Sequence, residues 1–151
     1  MVCPAGDLRG LHKCYRAGIA TGGRRFWFSV INTPDIARRL VELCRQGAYE
    51  TAQNELYAAD AVSIEPEGSP TPNVKGRDAI IAKGKAFVAS VEIHGGTVSE
   101  AVVAGQFFSL AMALDITPKA GGPRFTMEEI CLYEVRDGKI VREQFFYPLH
   151  G

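Results

Sequence analysis

Residues 125–147 read FTMEEICLYEVRDGKIVREQFFY and predict a β-hairpin that decides how the rest of the chain is interpreted. The turn falls at Arg136-Asp137-Gly138, where Gly138 can adopt the left-handed conformation of a three-residue loop. Because side chains alternate along a strand, such a loop places one set of residues on a common, largely apolar face. That face carries Phe125, Met127, Glu129, Cys131, Tyr133, Val135, Val141, Glu143, Phe145 and Tyr147.

Two glutamates interrupt this predicted apolar face. The three-residue loop pairs Glu129 with Phe145. It also pairs Cys131 with Glu143, so the two carboxylates become diagonal neighbours, roughly 7–8 Å apart at the backbone. A charged carboxylate in apolar surroundings is costly unless it is paired or hydrogen-bonded, and such groups are candidates for ligand contact or proton transfer. The inference depends on the turn, because a two-residue loop would send Glu143 to the opposite face from Glu129.

The length and composition are those of one ordinary globular domain. The chain has 151 residues, of which 46% are hydrophobic and 23% are charged. Its formal net charge is zero, but residues 33–151 hold twelve basic and sixteen acidic residues, a net charge of −4. That sign argues against a nucleic-acid partner, and no apolar run approaches the roughly 20 residues needed to span a bilayer. The four cysteines form no framework, so we expect a reducing, cytoplasmic location.

Residues 1–32 differ from the rest of the chain. They mix glycine, arginine and isolated apolar residues without a sustained period, and they hold five basic residues against one acidic residue. They lack the continuous apolar core of a secretory signal. We expect them to be a disordered or mis-assigned N-terminal extension of a domain that spans residues 33–151. An organellar targeting segment is the alternative.

The remaining sequence predicts three helices followed by a sheet. Thr33 is the predicted N-cap of the first helix, with Pro34 at the first helical position and Gly47 at the end. Helices are predicted at about residues 33–47, 48–58 and 77–91, and strands at 60–65, 97–104 and 106–117 before the hairpin. Such an α+β chain can curl its sheet around the helices and leave a concave face lined by the hairpin. Concave apolar pockets with a few polar groups are the usual sites for small molecules.

Three stretches give the chain a family resemblance: LYAADAVSIEPEG at residues 56–68, VKGRDAI at 74–80 and ICLYEVRDGKIVREQFFY at 130–147. Over about residues 34–149 the chain resembles SnoaL-like proteins of the nuclear transport factor 2-like superfamily and, more distantly, ketosteroid isomerases. The resemblance implies an α+β fold in which a cone-shaped, curved antiparallel sheet wraps around three N-terminal helices, a cystatin-like α+β barrel. Together with an apolar outer sheet face, it also implies a homodimer. That face would carry Phe107, Ile130, Leu132 and Phe146.

The resemblance to ketosteroid isomerases assigns roles to two glutamates. Those enzymes shuttle a proton with an aspartate that directly precedes a proline, and Glu65 matches it. They also keep a protonated aspartate before the last hairpin turn, which hydrogen-bonds the developing enolate, and Glu129 matches that residue. A pocket aromatic near the end of the last strand matches Tyr147. The first-helix tyrosine that completes the oxyanion hole aligns with Leu40, and losing one oxyanion donor typically lowers the rate by about 10²–10³.

We therefore predict a small-molecule pocket in which Glu65 and Glu129 are the catalytic residues. Burial and a nearby carboxylate would keep Glu129 neutral while Glu65 stays ionised. The reaction class is a cofactor-free isomerase, cyclase or dehydratase acting on a small hydrophobic carbonyl compound, with no metal required. The alternative is a non-catalytic homodimer that binds a small ligand or supports a protein partner. The predicted ligand-binding residues are Glu143, Tyr133, Tyr147, Phe145, Met127 and Tyr57.

Overall fold

The computed structural model describes residues 32–149 as three helices and a seven-stranded sheet. The helices are α1 (Thr33–Arg45), α2 (Tyr49–Leu56) and α3 (Arg77–Ser90). The strands are β1 (Tyr57–Ile64), β2 (Val74–Lys75), β3 (Val91–Val98), β4 (Val102–Ala104), β5 (Phe107–Pro118), β6 (Phe125–Arg136) and β7 (Lys139–Phe146). Apart from Asn32, the segment predicted to be an N-terminal extension lies outside the described residues. Within the described part, none of the helices is both long and apolar enough to cross a membrane.

The sheet is open and mixed. Its strand order is β2-β1-β7-β6-β5-β3, with β4 paired to β5. The predicted α+β architecture of three helices and one large sheet is confirmed. One pair departs from an all-antiparallel sheet, since β1 and β7 run parallel while the other pairs are antiparallel. This parallel pair places the first long strand beside the last, which brings distant parts of the chain together.

The N-cap of helix α1 lies one residue before Thr33, the predicted N-cap. The N-cap is Asn32, whose Oδ1 accepts a hydrogen bond from the backbone N–H of Asp35 at 3.0 Å. Pro34 lies in the first turn, where its missing N–H costs nothing. The helix buries one apolar face in the main core, made of Ile36, Ala37, Leu40, Val41, Leu43 and Cys44.

Two strands begin earlier than the sequence pattern predicts. β1 was expected from Asp60 and begins at Tyr57, and β3 was expected from Thr97 and begins at Val91. Each follows a helix without an intervening residue, so no turn signal marks the change. The short strand β2 was not predicted, because two residues carry too little pattern to identify a strand without its partner β1.

The hairpin between β6 and β7 has a two-residue turn and a β-bulge instead of the predicted three-residue loop. Asp137 and Gly138 both have positive φ angles, 49° and 72°, as a type I′ turn requires. The register then shifts by one residue at Val141, which has no partner on β6. The turn alone would have sent Glu143 to the outer face, and the bulge returns it to the face of Glu129.

The bulge also changes which residues are neighbours across the hairpin. Glu143 lies opposite Tyr133, and Phe145 lies opposite Cys131. Along β6, Tyr133 is four residues from Glu129, a separation of about 13 Å at the usual rise per residue. The predicted diagonal contact between the two glutamates is therefore wrong, although both side chains face the same interior.

Candidate functional site

A large cavity lies between the helices and the concave face of the sheet. Its volume is about 750 Å³, which is in the range of sites that hold drug-sized molecules. Most of its wall is apolar, with side chains from α1, α2, α3 and the strands of the hairpin. The structure places all eight predicted site residues around this one cavity: Tyr57, Glu65, Met127, Glu129, Tyr133, Glu143, Phe145 and Tyr147. Their chemical roles stay predictions.

Glu65, directly after β1, is held by an ion pair and by a hydroxyl group. Its Oε1 accepts a hydrogen bond from Nζ of Lys83 on α3, and its Oε2 accepts one from the Tyr147 hydroxyl at 2.8 Å. The side chains of Glu65 and Lys83 are only 7% and 13% exposed, so water screens their attraction little. Ser69 Oγ lies 2.8 Å from the Tyr147 oxygen, and it must be the donor because the phenol has a single proton.

Glu143 is the most deeply buried of the three carboxyl groups. The Tyr57 hydroxyl donates a hydrogen bond to its Oε2 at 2.5 Å, and Ser63 forms a second hydrogen bond to the carboxyl group. Burial raises the pKa of Glu143 above its ordinary value, while these two hydrogen bonds oppose the shift. Lys83 Nζ donates to Ser63 Oγ at 2.5 Å, so a continuous chain of hydrogen bonds joins Glu143 to Glu65.

Glu129 has a different environment. Within the described part of the chain it has no ion-pair partner, and the Cys131 thiol donates a weak hydrogen bond to its Oε1 at 3.5 Å. Burial raises the pKa of Glu129 to about 7, and the charges of Glu65 and Glu143 act in the same direction. The Cys131 hydrogen bond and the Lys83 charge oppose the rise. At neutral pH the carboxyl group is therefore divided between its neutral and charged forms.

The remaining predicted ligand-binding side chains form the walls of the cavity. The ring of Tyr133 stacks on Phe108, with centroids 4.7 Å apart and an interplanar angle of 16°. The ammonium group of Lys83 lies 5.2 Å from the centre of the Phe145 ring, and Met127 adds apolar surface. Among residues 32–149, no group of three or more His, Cys, Asp or Glu side chains is arranged to hold a metal ion.

Among the polar residues of this site, Lys83 and Ser63 were not predicted from the sequence. A signal existed for each. Lys83 lies three residues after Ile80 and four before Phe87, which puts it on the apolar face of α3. Ser63 is two residues from the buried Ala61 on β1, so both side chains lie on the face of the strand that points to the core. A lysine on an apolar helix face is uncommon unless it is paired.

The family assignment follows from the extent of the match. The model of the SnoaL-like domain matches residues 31–147, which is well over half of the chain. The chain belongs to the SnoaL-like family. This agrees with the family resemblance of the three sequence stretches and with the α+β fold. No curated protein gives a significant match to the chain.

Solved structures similar to this SnoaL-like chain share its fold. One from Mesorhizobium loti is described as a candidate SnoaL-like polyketide cyclase, with carbohydrate phosphatase as a second label. It is 38% identical, with a TM-score of 0.72, and the match covers 75% of this chain and 97% of that one. A Catenulispora acidiphila protein with a ketosteroid isomerase-like fold, in complex with trimethylamine, is 22% identical, with a TM-score of 0.59 and coverage of 78% and 88%. A candidate polyketide cyclase from Pseudomonas putida is 13% identical, with a TM-score of 0.59 and coverage of 78% and 92%. The last two show the fold alone.

Proposed function

We propose that this SnoaL-like protein binds a small hydrophobic carbonyl compound and catalyses a cofactor-free proton transfer on it, as an isomerase, cyclase or dehydratase does. The observation that carries the proposal is the contrast between two carboxyl groups in one cavity. Glu65 is paired with a cation, whereas Glu129 has no such partner among residues 32–149 and has a pKa of about 7. Acid–base catalysis by two carboxyl groups requires environments that separate their protonation states.

In this proposal Glu65 is the general base. The ion pair with Lys83 and the hydrogen bond from Tyr147 hold its carboxyl group in place at the cavity wall. A carboxylate offers about four lone-pair sites, and Lys83 and Tyr147 occupy two of them, so sites remain for an incoming proton. Glu65 takes the proton from the carbon next to the substrate carbonyl, the C–H electron pair forms the C=C bond of the enolate, and the carbonyl π electrons move to the oxygen.

Glu129 acts in its protonated form. Its O–H donates a hydrogen bond to the carbonyl oxygen as negative charge develops there. In an isomerisation, Glu65 returns the proton to a different carbon. In a cyclisation, the enolate carbon forms a new bond to a second carbonyl carbon of the same molecule, and the resulting alkoxide takes the proton of Glu129. Both outcomes use the same two carboxyl groups and leave the protein unchanged after reprotonation.

The test is hydrogen–deuterium exchange at the α carbons of 2-tetralone, a small hydrophobic ketone, followed by proton NMR in D₂O. We expect exchange faster than in buffer at the same pH, and we expect 2-naphthol to inhibit it competitively because it fits the same apolar cavity. Binding of both compounds without accelerated exchange would contradict the catalytic proposal. Absence of binding would contradict the small-molecule pocket itself.

A second candidate function is ligand binding without catalysis. It is favoured by Leu40 of α1, which lines the cavity where the resemblance to ketosteroid isomerases implies a tyrosine. A leucine has no hydrogen-bond donor for a developing oxyanion. The exchange experiment separates the two functions, because a carrier would bind 2-tetralone and leave its α protons at the buffer rate.

We also propose a homodimer through the outer face of the sheet. Ile130 and Phe146 are paired across β6 and β7 and are 55% and 47% exposed, and Phe107 is exposed on the same face. Large exposed apolar patches usually mark interfaces. Light scattering should give twice the chain mass of 16.4 kDa. The double variant Ile130→Glu/Phe146→Glu should be monomeric, and Arg38→Glu on α1 should leave the mass unchanged. A monomeric wild type would contradict the dimer.

A further inference from the structure

Leu40 and the tyrosines predicted to bind ligand offer no free donor to stabilise an enolate. Leu40 supplies no donor, and a tyrosine hydroxyl has one proton, which it cannot give to a ligand while it donates to a protein group. All three tyrosines predicted to bind ligand are engaged in this way. Tyr57, Tyr133 and Tyr147 donate to Glu143, Cys131 and Glu65, respectively.

Lys83 lines the cavity beside Glu65 and has a donor to spare. Its ammonium group carries three N–H bonds. Two donate to Ser63 Oγ and to Glu65 Oε1, and the third has no acceptor in the part of the chain that the structure describes. Because the amine sits above the ring of Phe145, which also lines the cavity, this third N–H is available to an oxygen atom of a bound molecule.

We propose that Lys83 is a catalytic residue that donates its third N–H to the enolate oxygen of the substrate and replaces the missing first-helix donor. This inference rests on the proposed function and adds a residue to it. The ammonium group keeps its protons throughout. As Glu65 takes the α proton, the C–H electron pair forms a C=C bond and the carbonyl π electrons move to the oxygen, where the positive charge of Lys83 stabilises the negative charge that forms.

The surroundings of Lys83 suit this role. Ser63 and Glu65 hold the amine in place before a substrate binds, so little reorganisation is needed during the reaction. A charge-assisted hydrogen bond is roughly twice as strong as a neutral one. Glu65, the base, and Lys83, the oxyanion donor, are hydrogen-bonded to each other. Their closeness favours substrates whose acidic C–H bond lies next to the carbonyl group.

The experiment uses 2-naphthol, whose ionised oxygen represents the enolate, and naphthalene, which lacks that oxygen. Loss of Lys83 alone would leave Glu65 buried without its cation, so Glu65→Gln is compared with Glu65→Gln/Lys83→Met. We expect the second substitution to reduce the affinity for ionised naphthol, relative to naphthalene, by at least about tenfold. Absorbance should show less ionised naphthol in the bound state at a given pH. Glu65→Gln/Lys83→Arg keeps a charged donor and should restore part of the preference.

Lys75→Met is the matched control, because Lys75 is exposed on β2 and lies outside the cavity. It should leave both readouts unchanged. Equal naphthol affinity and ionisation in Glu65→Gln and Glu65→Gln/Lys83→Met would overturn the role of Lys83, while exchange of 2-tetralone would still support the proposed function. If the wild type binds neither naphthol nor naphthalene, the proposed function fails together with the inference.

Discussion

Replacement of Glu65 by glutamine is expected to slow the protein-catalysed exchange of the α protons of 2-tetralone by about 10²–10⁴-fold, the usual contribution of a general base. The amide keeps the size of the carboxylate and can still accept the hydrogen bond from Tyr147, but it is too weak a base to take a proton from carbon. The exchange rate is measured by NMR at saturating ketone, so that a change in affinity is not mistaken for a change in chemistry.

The control for this variant is Glu67→Gln. Glu67 lies two residues further along, is exposed and does not line the cavity, so its substitution should leave the exchange rate unchanged. Thermal unfolding of both variants shows whether the loss of the ion pair with Lys83 has also disturbed the fold. A folded Glu65→Gln protein that exchanges α protons at the wild-type rate would rule out Glu65 as the base.

Replacement of Glu129 by glutamine is expected to raise the free energy of unfolding above that of the wild type, and this gain should be larger at pH 8 than at pH 5. Burial raises the pKa of Glu129 to about 7 in the folded state, from an ordinary value of 4.5. The folded state thus holds this proton more tightly than the unfolded chain, and the resulting stabilisation is complete below about 4.5 and is lost as the pH rises through 7. Glutamine does not titrate, so the variant avoids a loss of up to about 3 kcal/mol.

Urea denaturation of wild type and variant at the two pH values measures this difference. Glu128→Gln is the matched control, because Glu128 is the exposed neighbour on the opposite face of β6 and should show no pH-dependent gain. Carboxyl NMR gives an independent reading of the Glu129 titration. A midpoint near the ordinary glutamate value, with parallel stability curves, would mean that the cavity holds no tuned acid, and ligand binding without catalysis would become the better proposal.

The alternation of the hairpin sequence was sufficient to predict which side chains face the cavity, but not which of them lie opposite one another. Asp137-Gly138 is a strong signal for a two-residue turn, and it was available in the sequence. The bulge at Val141 had no comparable signal, because its preceding residue Ile140 and Val141 itself are both β-branched and fit a regular strand. The two errors of one residue each add to a register shift of two residues, so Glu143 still faces inward as predicted but lies opposite Tyr133 instead of Cys131.

The polar network of the cavity was harder to predict than its apolar walls. The alternation of apolar residues in strands and their spacing in helices predict which side chains are buried, but they do not predict which buried groups contact one another. Lys83 and Glu65 are 18 residues apart and come together because α3 packs on β1. Ser63, at the centre of the network, is a small residue common in any strand. Such contacts depend on how elements pack in three dimensions, which no local pattern in the chain contains.

The parallel pairing of β1 with β7 has a consequence for how the protein is made. The hydrogen bonds that close the cavity join residues near the two ends of the domain: Tyr57 and Glu143 are 86 residues apart, and Glu65 and Tyr147 are 82 apart. During synthesis the helices and β1 leave the ribosome long before β7 does. Contacts of such long sequence separation form slowly, so the apolar interior stays open until the final strand is added. Loss of even the last few residues of β7 would leave a chain that has most of the sheet but lacks pocket side chains such as Phe145.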